Sequence, residues 1–124
     1  MTGRWDGDGR RQVMQELAET ARDDGKHFLY VRIPGDIQPV ERGSRFDEPL
    51  EAALRAAALG SVTGGGSQTG EGTSVEFCGL DVVVLDRAPA IELIRRVMQS
   101  AGCPKDAVIE EYLPGYGELP IWTE

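Results

Sequence analysis

The sequence of 124 residues predicts an α+β protein built on one antiparallel sheet. Three observations lead to this class. Three segments carry apolar residues at the three- and four-residue spacing of a helix that buries one face. Between them lie runs rich in β-branched and aromatic residues, bounded by Gly and Pro. After the first helix, strands and helices follow one another in the order βαββαβ.

The first predicted helix covers residues 10–22. Its apolar residues return every three or four positions and form one stripe. They are Val13, Met14, Leu17, Ala18 and Ala21. The run HFLYVRI, residues 27–33, alternates between two faces and predicts the first strand, which ends at Pro34.

A second helix is predicted after residues 36–45, which show no periodicity and indicate a loop. Asp47 is the expected N-cap, and Pro49 suits the first turn because it lacks an N–H. Gly60 is expected to end the helix in a left-handed conformation. The buried stripe consists of Leu50, Ala53, Leu54 and Ala57.

Glycines dominate the segment that follows a short strand predicted over residues 61–63. Five of the nine residues from Gly64 to Gly72 are glycine. Phosphate-binding loops place such glycines between a strand and a helix and add a lysine. This segment lies between two predicted strands and carries Glu71, so it predicts a long hairpin loop with room for a contact role.

The strongest strand pattern covers residues 73–86, but its alternation changes phase. A β-bulge at Cys78 and Gly79 would restore one apolar face, and a strand buried on both sides is the alternative. A third helix is then predicted from Pro89 to Gly102. Its stripe consists of Ile91, Ile94, Val97, Met98 and Ala101.

The last predicted strand covers residues 107–113, and an irregular tail follows it. The order βαββαβ with right-handed crossovers predicts a ferredoxin-like sandwich, whose four-stranded antiparallel sheet has the order 4-1-3-2 and both helices on one face. The length fits a single domain, residues 1–124. Its expected parts are an N-terminal helical extension (1–25), the ferredoxin-like core (26–113) and the tail (114–124).

The second face of this sheet is expected to need a cover, because alternation places apolar side chains on it. It carries Phe28, Tyr30, Arg32, Glu76, Asp81, Val83 and Leu85. The N-terminal helix is the expected cover, since its apolar stripe has no other place to pack. The C-terminal tail and a second copy of the chain are the alternatives, so the protein is expected to be a monomer or a homodimer.

Composition and charge exclude several classes of protein. With 40% hydrophobic and 27% charged residues and no apolar run of about 20 residues, the chain is expected to be a globular cytoplasmic protein with no membrane segment. The net charge of −8 comes wholly from residues 46–124 and disfavours nucleic acid as a ligand. Cys78 and Cys103 form no CxxC pair, and His27 is the single histidine, so neither a metal site nor another cofactor is expected.

Two groups of residues are candidates for a functional site. Acidic and aromatic residues near the C-terminus have the makeup of a protein interface, in which aromatic side chains anchor a partner and charge steers it. They are Glu110, Glu111, Tyr112, Tyr116, Glu118 and Trp122. A pocket on the open sheet face is expected to involve His27, Tyr30, Arg32 and Glu76. His27 beside an acid such as Glu111 would suit a general base, and a plain cross-strand pair is the alternative.

These features favour a non-enzymatic module that binds a basic protein through its acidic C-terminal part, for example a bacterial immunity protein that neutralises a cationic toxin. The alternative is a sensor or small enzyme with a small-molecule pocket on the open sheet face. A fold of this kind hosts both classes, so the function has to be decided at the site.

Overall fold

A computed structural model describes residues 7–69, 72 and 74–122 of the chain. The strands are β1 (His27–Pro34), β2 (Gly60–Thr69), β3 (Val75–Val84), β4 (Val108–Glu111) and β5 (Gly117–Pro120). The helices are α1 (Gly7–Asp23), α2 (Pro39–Arg42), a π-helical turn (Gly43–Asp47), α3 (Glu48–Ala56) and α4 (Arg87–Ser100). The strands form one antiparallel sheet in the order β2-β3-β1-β4-β5. Residues 1–6, 70, 71, 73, 123 and 124, which include parts of the predicted extension, glycine loop and tail, lie outside the described residues.

The predicted α+β class is confirmed, whereas the sheet order differs from the predicted 4-1-3-2. The difference is β5, which pairs with β4 in a part of the tail where the sequence predicts no regular structure. Ile121, directly after β5, is fully buried. Trp122 packs against the same core and donates from Nε1 to the carbonyl of Cys103 at 3.0 Å. These two side chains hold the tail along the edge of the sheet.

One face of the sheet packs against α3 and α4 and forms the main core. Alternate residues of the central strands point to it, so Leu29, Val31 and Leu80 are almost completely buried. The stripe predicted for the third helix is found in α4, where Ile94 and Met98 are fully buried. Each side chain of this kind stabilises the fold by roughly 1.5–3 kcal/mol through burial.

The first helix, α1, packs on the opposite face of the sheet, as its apolar stripe predicts. The side chains buried in this contact are Met14, Ala18, Ala21, Phe28, Tyr30 and Tyr112. The prediction is wrong for Val13 and Leu17, which are 43% and 38% exposed. The cluster of described residues beneath α1 draws on β1 and on the stretch after β4, and Val83 of β3 packs against it. The described residues of β2 contribute no side chain to this cluster.

The predicted bulge at Cys78 and Gly79 is wrong, because β1 and β3 pair without interruption through both residues. The irregularities lie in the ladder between β2 and β3 instead. One of them leaves Glu76 without a partner on β2, so that its neighbours Val75 and Phe77 point to opposite faces. Val75 joins the main core, and Phe77 lies on the side of α1.

The glycine segment is largely a strand and not the predicted loop. Strand β2 contains Gly64, Gly65 and Gly66, which pair with three consecutive residues of β3. Glycine has a low β propensity, so the local sequence indicates a turn. The strand continues to Thr69 because β3 pairs with it along this length, apart from the two irregularities.

Residues 36–45, predicted to be a loop, contain α2 and the start of the π-helical turn, which runs into α3 without a break. Hydrogen bonds between residues five apart shift the 3.6-residue period, which hides the helix from the sequence pattern. Asp47 has helical dihedral angles (φ −61°, ψ −56°) and is not the predicted N-cap. Gln38 is the N-cap of this helical segment, and Phe46 is its fully buried anchor.

The helices α1, α3 and α4 end in the same hydrogen-bonded motif, in which one residue takes a left-handed conformation. Gly25 and Gly102 occupy this position after α1 and α4, with φ of 75° and 73°. After α3 the position belongs to Ala58 (φ 55°) and not to Gly60 as predicted. Ala58 is exposed, so no packing contact requires its methyl group.

Replacing Ala58 with Gly is expected to raise the free energy of unfolding by about 1 kcal/mol, because the left-handed conformation costs an L-residue roughly that amount. Urea unfolding followed by circular dichroism measures the change. Ala57→Gly is the matched control, since Ala57 keeps a right-handed conformation (φ −87°) and glycine there lowers stability. A loss of stability in Ala58→Gly would contradict this account of the helix end.

Candidate functional site

A cavity of about 260 Å³ lies on the α1 side of the sheet, next to the helix. Helix α1 and strands β1, β2 and β3 all contribute to its wall. Its lining residues include Arg10, Tyr30, Gly66, Gln68, Phe77 and Asp81. A few polar groups within an aromatic lining are typical of sites that hold small molecules.

The floor of the cavity is backbone without side chains. Gly66 of β2 pairs with Gly79 of β3, and the two share the α1 face of the sheet with Gly64. A methyl group on Gly66 would meet no atom within 4 Å, whereas one on Gly79 would lie 2.0 Å from Cζ of Tyr30. The ring of Tyr30 therefore lies directly on Gly79, and the space above Gly66 is open.

Arg10 forms one polar wall of the cavity. Its guanidinium carbon lies 4.8 Å from the ring centre of Tyr30 and 5.4 Å from that of Phe77. Its Nη2 donates to Oε1 of Glu110 at 2.6 Å. Burial raises the pKa of Tyr30 to about 12, so its hydroxyl stays protonated well above neutral pH.

Glu110 has no exposed surface and binds the guanidinium of Arg10. Its Oε2 accepts a hydrogen bond from Nη1 of Arg32 at 2.6 Å, and the hydroxyl of Tyr112 donates to Oε1. Two arginines and a hydroxyl thus satisfy one buried carboxylate. Burial alone would lower the pKa of Arg10, but attraction to Glu110 outweighs it and raises that pKa.

Asp81 is the other charged group of the cavity and lies opposite Tyr30 in the ladder between β1 and β3. Its Oδ2 is 3.1 Å from the position that a Cβ on Gly64 would take, so the carboxyl lies over the glycine floor. Burial raises the pKa of Asp81, although Arg10 and Arg42 both attract its carboxylate. No hydrogen-bond donor within the described residues contributes to this shift. Of the two charged side chains that line the cavity, Arg10 is paired with Glu110, and the charge of Asp81 is the less compensated.

Comparison of the chain with models of protein families, with curated proteins and with solved structures gives no match. Within the described parts of the chain, no helix is both long and apolar enough to cross a membrane. The same residues contain no group of three His, Cys, Asp or Glu side chains placed to hold a metal ion.

The structure does not bring together the four residues predicted to form a pocket, His27, Tyr30, Arg32 and Glu76. Tyr30 lines the cavity. Arg32 lies opposite Gly79 and binds Glu110 and Glu118, so it does not face Glu76 across the sheet. Glu76 is the exposed residue of the irregular pairing in β3.

His27 and Glu111 line a second cavity, of about 280 Å³, which lies near the end of α1. The carboxylate of Glu111 accepts two hydrogen bonds from Arg87, one of them from Nη2 at 2.7 Å. His27 itself is exposed. The acid predicted to lie beside His27 is thus paired with Arg87.

The six residues predicted to bind a protein partner do not form one exposed surface. Glu110 and Tyr112 are buried, with exposures of 0% and 3%. Tyr116 and Glu118 are exposed, and the hydroxyl of Tyr116 donates to Glu118 at 2.7 Å. Glu111 is held by the arginine described above, and Trp122 packs against the main core. The exposed part of this group is thus one aromatic residue and one acid.

Sequence reasoning places Tyr30 and Asp81 on the open face by alternation, but it does not single out Arg10, Gly66 or Phe77 for the site. The signal for Gly66 was its spacing from Gly64, since glycine at every second position leaves one strand face bare. For Arg10 the only signal was its position near the start of the stripe that covers this face.

Proposed function

We propose that this protein binds a small molecule in the cavity between α1 and the glycine-rich strand β2. The observation that carries the proposal is the open space above Gly66, which has Tyr30 and Phe77 beside it and the charges of Arg10 and Asp81 within reach. A volume of about 260 Å³ suits a compact metabolite, because drug-sized ligands take roughly 300–1,000 Å³.

Binding accounts for this lining better than catalysis does. A general acid–base pair needs two groups that are free to exchange protons with a substrate. Arg10 is engaged by Glu110, and the hydroxyl of Tyr30 has a pKa of about 12. Asp81 is left as the one carboxyl group among the described lining residues, so the site is equipped to orient a ligand.

The remaining parts of the sequence-based hypothesis stay predictions. The basic partner and the immunity role are supported by the net charge of −8 and by the exposed pair Tyr116 and Glu118. We interpret β1 to β4 with α3 and α4 as a ferredoxin-like core that β5 extends. Such a fold hosts many functions, so it carries none of the argument for the cavity.

Gly66→Val is expected to abolish binding at this site, because the new side chain projects into the cavity and removes the space for a ligand. The measurement is a thermal-shift screen of common metabolites against the unmodified chain, repeated on the variant with each stabilising compound. At a concentration of about 100 times Kd, a ligand adds about 2.7 kcal/mol to the stability of the unmodified chain. That gain should disappear in Gly66→Val.

Thr69→Val is the matched control, since it places the same side chain on an exposed position of β2 outside the cavity lining. Ligand-dependent stabilisation should be unchanged in this variant. A compound that stabilises Gly66→Val as strongly as the unmodified chain binds elsewhere and counts against the proposal. A screen without any stabilising compound counts against it as well.

A further inference from the structure

We propose that the cavity selects a compact amine, which places its protonated amino group on Asp81 and a flat aromatic or apolar body on the glycine floor. The inference rests on the proposed function and names the chemical class of its ligand. It follows from three properties of the site: the state of its two charges, the shape of its floor and the nature of its walls.

The charges around the cavity are unequally compensated. Arg10 and Arg32 share the buried carboxylate of Glu110, and Arg32 also lies 3.4 Å from Glu118. These two cations and two anions balance one another. The carboxylate of Asp81 takes no part in an ion pair among the described residues, so the cavity offers a ligand one unmatched negative charge.

Arg42 is the other cation near Asp81, and it does not occupy the proposed site. Its guanidinium carbon lies 3.4 Å from the position of a Cβ on Gly65, whose partner Leu80 faces the main core. Arg42 thus lies against the other side of the strand from the cavity. Its charge attracts Asp81, but among the described residues it forms no hydrogen bond to the carboxyl group.

The shape of the cavity favours a flat ligand body. Gly64 and Gly66 leave the peptide planes of β2 bare on this face, and the ring of Tyr30 lies level with them on Gly79. Phe77 closes one side with a second aromatic ring. A planar apolar group gains contact area on such a floor without displacing any side chain.

An acid is the least favoured ligand of the same size. Its carboxylate would approach Asp81, whose negative charge has no paired cation, and the guanidinium of Arg10 is already bonded to Glu110. A neutral alcohol would keep the contacts of the body and lose the charge-assisted hydrogen bond to Asp81.

Three probes with a common body test the inference: phenethylamine, 2-phenylethanol and phenylacetate. Titration followed by amide chemical shifts in two-dimensional NMR reports both the affinity and the strands that respond. The amine should bind at least about tenfold more tightly than the alcohol, since a charged hydrogen bond in a partly buried site is worth that factor or more. The acid should bind most weakly, and the amides of β2 and β3 should respond.

Asp81→Asn keeps the shape of the side chain and removes its charge, so the tenfold preference for the amine should disappear while the alcohol binds as before. Glu92→Gln on α4, which neutralises an exposed carboxylate far from the cavity, should keep the preference. Gly66→Val should prevent binding of all three probes. Comparison of Gly66→Val with Asp81→Asn separates loss of the site from loss of its charge.

The possible outcomes separate the inference from the proposed function. Equal or tighter binding of the alcohol or the acid, blocked by Gly66→Val, overturns the amine and leaves the small-molecule site in place. An amine preference that survives Asp81→Asn also overturns the assignment. Failure of all three probes overturns the amine, and the wider metabolite screen then decides the proposed function.

Discussion

Glu110→Gln should lower the free energy of unfolding by about 3 kcal/mol, because it leaves Arg10 and Arg32 without the carboxylate that both of them bind. The side chains of these arginines are only 12% and 27% exposed, so water replaces little of the lost interaction. A domain of this size has a total stability of roughly 5–15 kcal/mol, so the variant should unfold at a much lower urea concentration.

The matched control for this prediction is Glu118→Gln, which neutralises another carboxylate that contacts Arg32. The side chain of Glu118 is 42% exposed, and its nearest oxygen lies 3.4 Å from Nη2 of Arg32. Exposed pairs of this kind contribute about 1 kcal/mol at most. Equal losses of stability in the two variants would show that burial of Glu110 is not what makes its ion pairs important.

Gly79→Ala is the second change with a large expected effect, a loss of about 2–3 kcal/mol. Its new methyl carbon would lie 2.0 Å from Cζ of Tyr30 and 2.6 Å from Cε2 of the same ring. Tyr30 is 5% exposed and packed against α1, so its ring cannot move aside without disturbing that contact. Overpacking of a closed site typically costs in this range.

Gly66→Ala supplies the control, because Gly66 is the direct ladder partner of Gly79 and has open space where the methyl would go. Its stability should be unchanged or higher by about 0.5 kcal/mol, since alanine restricts the unfolded chain more than glycine does. A double variant with Tyr30→Val should recover part of the loss in Gly79→Ala, as a smaller side chain removes the clash. An equal change in the free energy of unfolding in Gly66→Ala and Gly79→Ala would contradict the placement of the Tyr30 ring on Gly79.

The parts of the fold that were predicted correctly depend on short-range periodicity. The stripe in α4, the part of the α1 stripe formed by Met14, Ala18 and Ala21, and the alternation in β1 each repeat within about ten residues. They are therefore visible in the sequence without knowledge of their neighbours. The glycine strand β2 has no such local signal, because its stability comes from pairing with β3. The helical segment before α3 is hidden for another reason, since its π-helical turn changes the period.

The residues of the site also divide into those that local alternation predicts and those that depend on contacts between distant parts of the chain. Alternation along β1 and β3 was sufficient to place Tyr30 and Asp81 on one face of the sheet. A charged residue in a strand is expected to be exposed. Glu110 can be buried because Arg10 and Arg32, which are distant in sequence, both bind its carboxylate. The floor also needed three-dimensional information, because Gly66 lies opposite Gly79 only through the register of the ladder.

Arg10 belongs both to the cavity wall and to the cluster around Glu110, so α1 cannot leave the sheet without opening the cavity and removing a cation from a buried carboxylate. Occupancy of the site and attachment of the N-terminal helix are therefore thermodynamically linked. Whatever fills the space lowers the population of molecules in which that helix is detached, and so protects the residues of α1 from proteases that act on the opened form.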